Sequence, residues 1–525
     1  MATCWRGKKP FKPAVYRNLV FLLSLCMFLV QVRYAHPQET GNEFEDSRNR
    51  TLDEPESPRY ETRAEPAFSG ARAWDQPLSR GVGQTLTAGL IASGYCLLSN
   101  GIVMVFNRFV VDAPWAFPYA GSIRRNFTEP WKWEDLDGFK VNHLGHPLQG
   151  MVYFSAGRVT GFGFYGSIFF SAFGSFAWET VGERQRASIN DLIITAPTGV
   201  SFGEIMYRLY LQAHAAGVPA FLTFLINPTA GVHRLLTGWE PPAVERNLYE
   251  FRAYLSAAYA HTTYTLPGSL FSDDRPKQSH SGFFGDVGFR IIYGDPFVQN
   301  TWVPFRQFEF FGSFGTDTVN HNDFRLFTDG YLFSFSPLHS ETRALSHGLS
   351  LFFDFASIGN FDMYFGFINM YSNALGWSVK YRHLFSPNVG WRARAHAGFT
   401  FFGASSFYHY TRYGNRREML NYGYGISLRH LSGFEFGRRA RIDVSNFFYF
   451  QWTYPGINPA LSQGFVWWQF HDFSFSHLVS QRISLGATFS IATERGSFGG
   501  DIPSTRKNNW SVRTFVAWNG QSIRN

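Results

Sequence analysis

The chain has 525 residues, of which 19% are Phe, Trp or Tyr and only 16% are charged, against about 25% in an ordinary soluble domain. That excludes disorder for most of it, and a mean hydropathy of -0.16 is too polar for a bundle of many membrane-spanning helices. A net charge of +8, carried mostly by dispersed Arg, excludes a nucleic-acid surface, while 50 Gly, 15 Trp and 25 Tyr suit short amphipathic strands with aromatic ends.

Residues 1–35 read as a secretory signal: Arg6, Lys8, Lys9, Lys12 and Arg17 precede an apolar run from Leu19 to Val32. Ala35 suits the last position before a cut, whereas Arg33 sits where a small residue is preferred, so an uncleaved anchor is the alternative. Cys26 follows Leu23-Ser24-Leu25, a poor lipoprotein box. With Cys4 and Cys26 in this segment, only Cys96 remains for the mature chain, and no internal disulfide is expected. Residues 36–80 are charged and rich in Pro, Ser, Asn and Thr, and read as a disordered linker that cannot bury enough surface to offset its ordering entropy.

Residues 81–240 form an expected small-residue-rich helical domain. Thr85 to Phe106 is apolar and long enough to cross a bilayer if helical. Residues 147 to 178 place Gly150, Ala156, Gly157, Gly161, Gly166, Ser171 and Gly174 at spacings that permit close helix contact, although Gly-rich strands fit the same spacing. A third helix is expected from near Gly199 through Glu204 toward Ala215.

Polar chemistry concentrates in this region. The run VNHLGHPLQG carries His143 and His146, followed by Arg158; Glu179 and Glu183 would share a helix face; then come Ser188, Asp191, Gly199, Gly203 and Glu204. His143, His146, Glu179, Glu183, Asp191 and Glu204 are the candidate catalytic set, because two imidazoles beside carboxylates can coordinate a metal or transfer protons. The spacing is not that of a zincin, and the identity of any metal or cofactor stays open. Each group also has a structural reading. The histidines can organise a turn before Pro147, the glutamates can pair with Arg158, Arg184 or Arg186, and Ser188 to Asp191 has the spacing of a capping box.

The runs WEDLDGFKVNHLGHPLQGMVYFSAGRVTG and SFAWETVGERQRASINDLIITAPTGVSFGE, with their Asn-His-x-x-His-Pro, Trp-Glu, Ser-x-x-Asp and Gly-Glu elements, resemble an uncharacterised bacterial family, a domain of unknown function in outer-membrane-associated proteins. The resemblance covers roughly residues 115 to 215. A looser pattern of His146, Glu179, Ser188, Asp191, Gly199 and Gly203 is similar to VanZ-like membrane helices. The resemblance implies an envelope location and leaves the reaction open.

Residues 241–525 change to period-two alternation. Trp391, Ala393, Ala395, Ala397, Phe399 and Phe401 share one face, with Arg392, Arg394, His396 and Thr400 on the other. Similar strands recur from Leu420, Ile483 and Trp510, and further ones begin near Leu248, Phe283, Arg306, Asp323, His347, Leu375, Phe434 and Phe465. This predicts a membrane β-barrel of about twelve antiparallel strands, with lipid outside and water inside. Trp377, Tyr381, Trp391, Tyr449, Trp452, Trp510 and Trp518 are expected at the bilayer interfaces.

Arg290, Lys380, Arg382, Arg392, Arg394, Arg429, Arg439, Arg441, Arg482 and Arg513 are expected to face the lumen, where their excess over Asp286, Glu309, Asp354 and Asp443 would attract anions, or else to cross-link the wall and plug it. The expected location is the outer membrane of a double-membraned bacterium, with outer-membrane lipid and the barrel assembly machinery as partners and no nucleic acid. Two functions follow: a channel or an envelope structural or binding protein, whose helical domain lies on the periplasmic side or within the lumen; or an enzyme that modifies envelope lipid or glycan.

Overall fold

The computed structural model describes residues 80–133, 137–244, 247–265, 277–297, 300–316, 321–360, 368–410, 416–437, 439–454, 464–499 and 504–520. The expected signal segment, and the linker as far as residue 79, lie outside them.

The second half of the chain is a closed membrane-type barrel of twelve antiparallel strands. They are β1 (Leu248–Thr265), β2 (Lys277–Tyr293), β3 (Phe308–Thr316), β4 (His321–His339), β5 (Arg343–Asn360), β6 (Ile368–Ser386), β7 (Val389–Tyr410), β8 (Arg416–Phe436), β9 (Ala440–Thr453), β10 (Gly464–Leu478), β11 (Ile483–Phe498) and β12 (Thr505–Asn519). Each strand pairs with its neighbours in sequence, and β1 closes on β12 from Arg252 opposite Asn519 to Thr265 opposite Arg506. Closure gives every strand a partner on both sides, although the short β3 meets β2 only from Gly285 to Tyr293.

Alternation sorts the side chains. On β12, Trp510, Val512 and Val516 are exposed on the outside while Ser511 and Arg513 are buried in the lumen. β7 carries an extra residue between Thr400 and Phe402, a bulge that reverses the phase. Even-numbered residues such as Arg394 point inward before it, and Phe402 and Ala404 point outward after it. The structure corrects two details of the sequence reading. Phe434 belongs to the end of β8, with the next strand starting at Ala440, and Tyr449 is no interface aromatic but a buried lumen residue whose hydroxyl donates to Asp354.

The preceding helices are α1 (Val82–Phe106), α2 (Ala120–Thr128), α3 (His146–Val159), α4 (Phe164–Ala177), α5 (Ile189–Ala215), α6 (Ala220–Ile226) and α7 (Pro228–Thr237). Wider π-helical turns extend α1 (Asn107–Val111), lead into α3 (Val141–Gly145) and end α4 (Trp178–Gly182). α5 begins ten residues before the expected Gly199. α3 and α5 cross with backbones in contact. A Cβ on Gly199 would lie 2.4 Å from the Gly150 carbonyl carbon, and one on Gly150 would lie 2.1 Å from the Thr195 carbonyl oxygen. Only glycine fits at such a crossing.

The helices lie neither within the lumen nor beneath it. On β5, Asp354 faces Arg429 and Tyr449 across the lumen. Its neighbours Phe353 and Phe355 therefore point outward, where Phe353 meets Phe202 of α5 at 4.6 Å between ring centroids and Phe355 stacks on Phe139 at 5.6 Å. α5, 27 residues and about 40 Å long at 1.5 Å per residue, runs obliquely down the outer wall. Asn190 reaches Tyr422 on β8, Thr198 reaches Tyr371 on β6, Phe202 reaches Phe310 on β3, and Gln212 accepts from the Asn247 amide just before β1. The expectation of a luminal domain fails for a definite reason. Outward aromatics on β3, β5, β6 and β8 look alike in sequence whether lipid or a helix covers them.

Candidate functional site

Where the N-terminus of α5 meets the wall, polar groups of four segments converge. His143 sits on the π-helical turn before α3, fully buried among the rings of Phe139, Tyr371 and Tyr422, at centroid separations of 4.5, 4.8 and 5.7 Å. Its Nδ1 is 2.8 Å from the Phe139 carbonyl oxygen. A carbonyl only accepts, so Nδ1 carries the hydrogen of the neutral ring and Nε2 is left with a lone pair. No hydrogen-bond partner for that Nε2 occurs among the described residues.

His146 opens α3, with Nε2 3.5 Å from Asp191 Oδ1, a separation too long for a strong hydrogen bond. Ser188 is the residue before α5, but it forms no capping box, because its side chain makes no bond to the backbone of the first turn. Its hydroxyl lies 2.6 Å from Asp191 Oδ2 and 3.0 Å from Glu179 Oε2, and its amide donates to the same Glu179 oxygen at 2.7 Å. One hydroxyl hydrogen cannot serve two carboxylates. Both contacts become hydrogen bonds only when a further proton resides on one carboxyl group. Asn190 joins the set to the barrel, donating to Asp191 Oδ1 at 2.9 Å and to the Tyr422 hydroxyl at 3.2 Å. The ensemble is a buried, hydrogen-bonded cluster of two carboxyl groups around one hydroxyl, with the His143 ring packed on Tyr422 beside it.

The structure thus brings together His143, His146, Glu179 and Asp191 and sets Glu204 apart. Glu179 lies within the π-helical turn that ends α4, and Glu183 follows it in extended conformation, so the pair does not share a helix face. Glu204 lies thirteen residues along α5, about 20 Å from Asp191, where it holds Arg158 Nε at 2.9 Å and Arg208 Nε at 2.7 Å. Arg208 continues to the Pro304 carbonyl before β3 at 2.8 Å. This triad ties α3, α5 and the β2–β3 connection together. Among the described residues no three His, Cys, Asp or Glu side chains are grouped so as to hold a metal ion.

Sequence reasoning missed Thr198, Tyr371 and Tyr422. Thr198 and Tyr371 share a hydrogen bond of 2.7 Å across 173 positions, and no local pattern announces such pairs. It also missed the polar knot of Asn100, Gln149 and Tyr153 that fastens α1 to α3.

The lumen is the second concentration of charge, and its charges pair across the ring. Arg392 on β7 reaches Glu250 on β1 at 3.2 Å, and Arg325 on β4 reaches Asp472 on β10 at 3.6 Å; each pair joins strands half the ring apart. Arg513 binds Asp286 at 2.7 Å and also Asp323. Arg394 meets Glu309, Arg429 meets Asp354, and Arg441 meets both Glu250 and Asp443. Between these pairs, Phe327 on β4 touches Phe447 on β9 and Phe470 on β10, at 5.2 and 6.4 Å between centroids. Arg482 departs from the expected set, since it lies in the turn between β10 and β11.

A family model described as a domain of unknown function, DUF3943, matches residues 130–229, which span the cluster and all of α5. No curated protein matches. Among solved structures, the chain is similar to the Pseudomonas putida toluene transporter TodX (8% identity, 53% of this chain and 90% of that one, TM-score 0.23). It is also similar to the NanC porin (8%, 50% and 98%, TM-score 0.25) and the KdgM porin (10%, 50% and 98%, TM-score 0.21). These are likenesses to barrels, at scores too low to transfer a function, and they lend the VanZ-like reading no support.

Proposed function

We propose that this chain is an outer-membrane protein whose barrel is a closed anchor rather than a pore, and whose helical domain, seated on the outer wall, is the working part. The observation that carries this is the pair of ion pairs across the ring, Arg392 to Glu250 and Arg325 to Asp472, with the Phe327, Phe447 and Phe470 rings between strands on opposite sides. Fixed charges that neutralise one another across a narrow lumen leave neither a water path nor a net field for a solute. The outward face supports the membrane location. Phe399, Ile426, Leu485 and Val512 are exposed there, on strands long enough to cross a bilayer when tilted. Outer-membrane lipid is then the surrounding partner, and β12, with Trp510 and Trp518 facing outward, is the strand offered to the barrel assembly machinery.

Liposome swelling with the purified, folded protein tests the reading. Liposomes that fail to swell in small sugars and anions, while the protein shows heat-modifiable migration, are expected. Swelling at rates typical of open porins would overturn it.

A second reading, an enzyme acting on envelope lipid or glycan, is favoured by one observation: the buried Ser188 hydroxyl lies between the Glu179 and Asp191 carboxyl groups, which share a proton through it. Envelope lipids from cells carrying the wild-type protein or a His146→Ala/Glu179→Ala variant, compared by mass spectrometry, decide it. Identical profiles would remove the enzyme.

A further inference from the structure

Two helices of the domain, α1 and α4, carry large apolar residues on their open faces. α1 carries no charged residue from Val82 to Phe106, and its buried face consists of Ala88, Ala92, Tyr95, Cys96 and Asn100. Its open face is greasy, with Leu90 75% exposed and Ile102 59%. α4 repeats the arrangement. It has no charged residue from Phe164 to Ala177; beside Phe164, Phe170 and Ala177 it buries Ser167, Ser171, Gly174 and Ser175, and it turns Phe169 outward at 63% exposure. A helix at a water interface does the reverse, with its polar residues out and its apolar stripe in. Small and polar residues between helices, with large apolar ones outside, is the distribution a hydrocarbon solvent imposes, because polar groups there find partners only within the bundle.

Those partners are present. Asn100 Nδ2 donates to the Gly174 carbonyl at 3.1 Å, and its Oδ1 accepts from Gln149 at 3.2 Å and from the Tyr153 hydroxyl. The Tyr95 hydroxyl lies 2.8 Å from His233 Nδ1.

Position points the same way. α5 lies along the outer wall, α3 and α4 pack on α5, and α1 packs on α3 and α4. The layer therefore occupies the space beside the strands that bordering lipid would otherwise fill, and its outermost members are the two uncharged helices. From Val82 to Val110 the α1 rod has 29 residues, about 43 Å at 1.5 Å per residue, more than the roughly 30 Å of a hydrocarbon core.

We infer that the open face of α1 and α4 is immersed in the acyl chains of the same bilayer that the barrel spans, so that the protein combines strands and helices within one membrane. The inference rests on the membrane location of the barrel proposed above.

The test uses full-length protein in a Cys4→Ser/Cys26→Ser/Cys96→Ala background with one reporter cysteine at a time: Leu90→Cys on α1, Phe169→Cys on α4, or Val512→Cys on the barrel wall as reference. Each is labelled with an environment-sensitive fluorophore and reconstituted into phosphatidylcholine vesicles with or without brominated acyl chains. Quenching by brominated lipid at Leu90 and Phe169 within about twofold of that at Val512, with no quenching by iodide, is expected. Iodide quenching at Leu90 and Phe169 while Val512 answers to lipid would overturn the inference and leave the barrel reading intact. Absence of lipid quenching at Val512 would overturn both. Disulfide-linked dimers through Leu90→Cys, with lipid quenching lost there, would replace lipid by a second copy of the chain.

Discussion

Replacing Gly199 with Ala tests the packing of the helical domain at its tightest point. The added Cβ would stand 2.4 Å from the Gly150 carbonyl carbon, where ordinary contacts begin near 3.4 Å. α3 and α5 must then part by roughly 1 Å, because the obstacle is backbone and no rotamer change relieves it. A gap of that size forfeits about a quarter to a half of the dispersion attraction between the facing atoms, and overpacking of this kind costs about 1–3 kcal/mol. For a unit of this size the thermal midpoint falls by about 2–4 °C per kcal/mol. Helical circular dichroism followed against temperature in detergent should show a midpoint lower by several degrees, while the heat-modifiable migration that reports the barrel is unchanged. Gly94→Ala on α1 is the control. A Cβ there meets nothing within 4 Å, and alanine favours the helix by about 0.8–1.0 kcal/mol. Equal midpoints for the two variants would refute the close crossing.

Further variants probe the cluster, the seat and the lumen. Ser188→Ala removes the hydroxyl between Glu179 and Asp191 and should lower the helical midpoint through a loss of about 1–3 kcal/mol, with Ser188→Thr restoring most of it. Thr198→Val deletes the bond to Tyr371; a cost of about 1 kcal/mol should appear as faster proteolysis of the helical domain with the barrel intact. Arg513→Met leaves Asp286 and Asp323 buried without their shared cation. A penalty of about 3–5 kcal/mol should lower the temperature at which the compact gel band converts to the unfolded one, without changing the helical midpoint of any barrel that stays folded.

The barrel was legible in the sequence because alternation between Arg-bearing and apolar positions leaves a period of two on almost every strand, as from Trp391 to Phe401. It blurred where the lumen itself is aromatic: Tyr449 reads as an interface residue, yet its partner is Asp354 on a strand four places away. The gathering of His143, His146, Glu179 and Asp191 followed from their crowding in one stretch of chain. The role of Ser188 did not, because Ser-x-x-Asp spacing describes a cap and a carboxylate bridge equally well. The seat of the helices was the least legible feature, since Phe353, Tyr371 and Tyr422 gain cover from residues more than a hundred positions away.

The outer-wall seat of α5 has a consequence for the order of construction. Its contacts are spread over strands from β3 to β8, all of them made after α5 on the ribosome. The amino-terminal helices are thus the earliest part synthesised and the last that can find their place, and until the sheet has curled past its midpoint they have nothing to lean on.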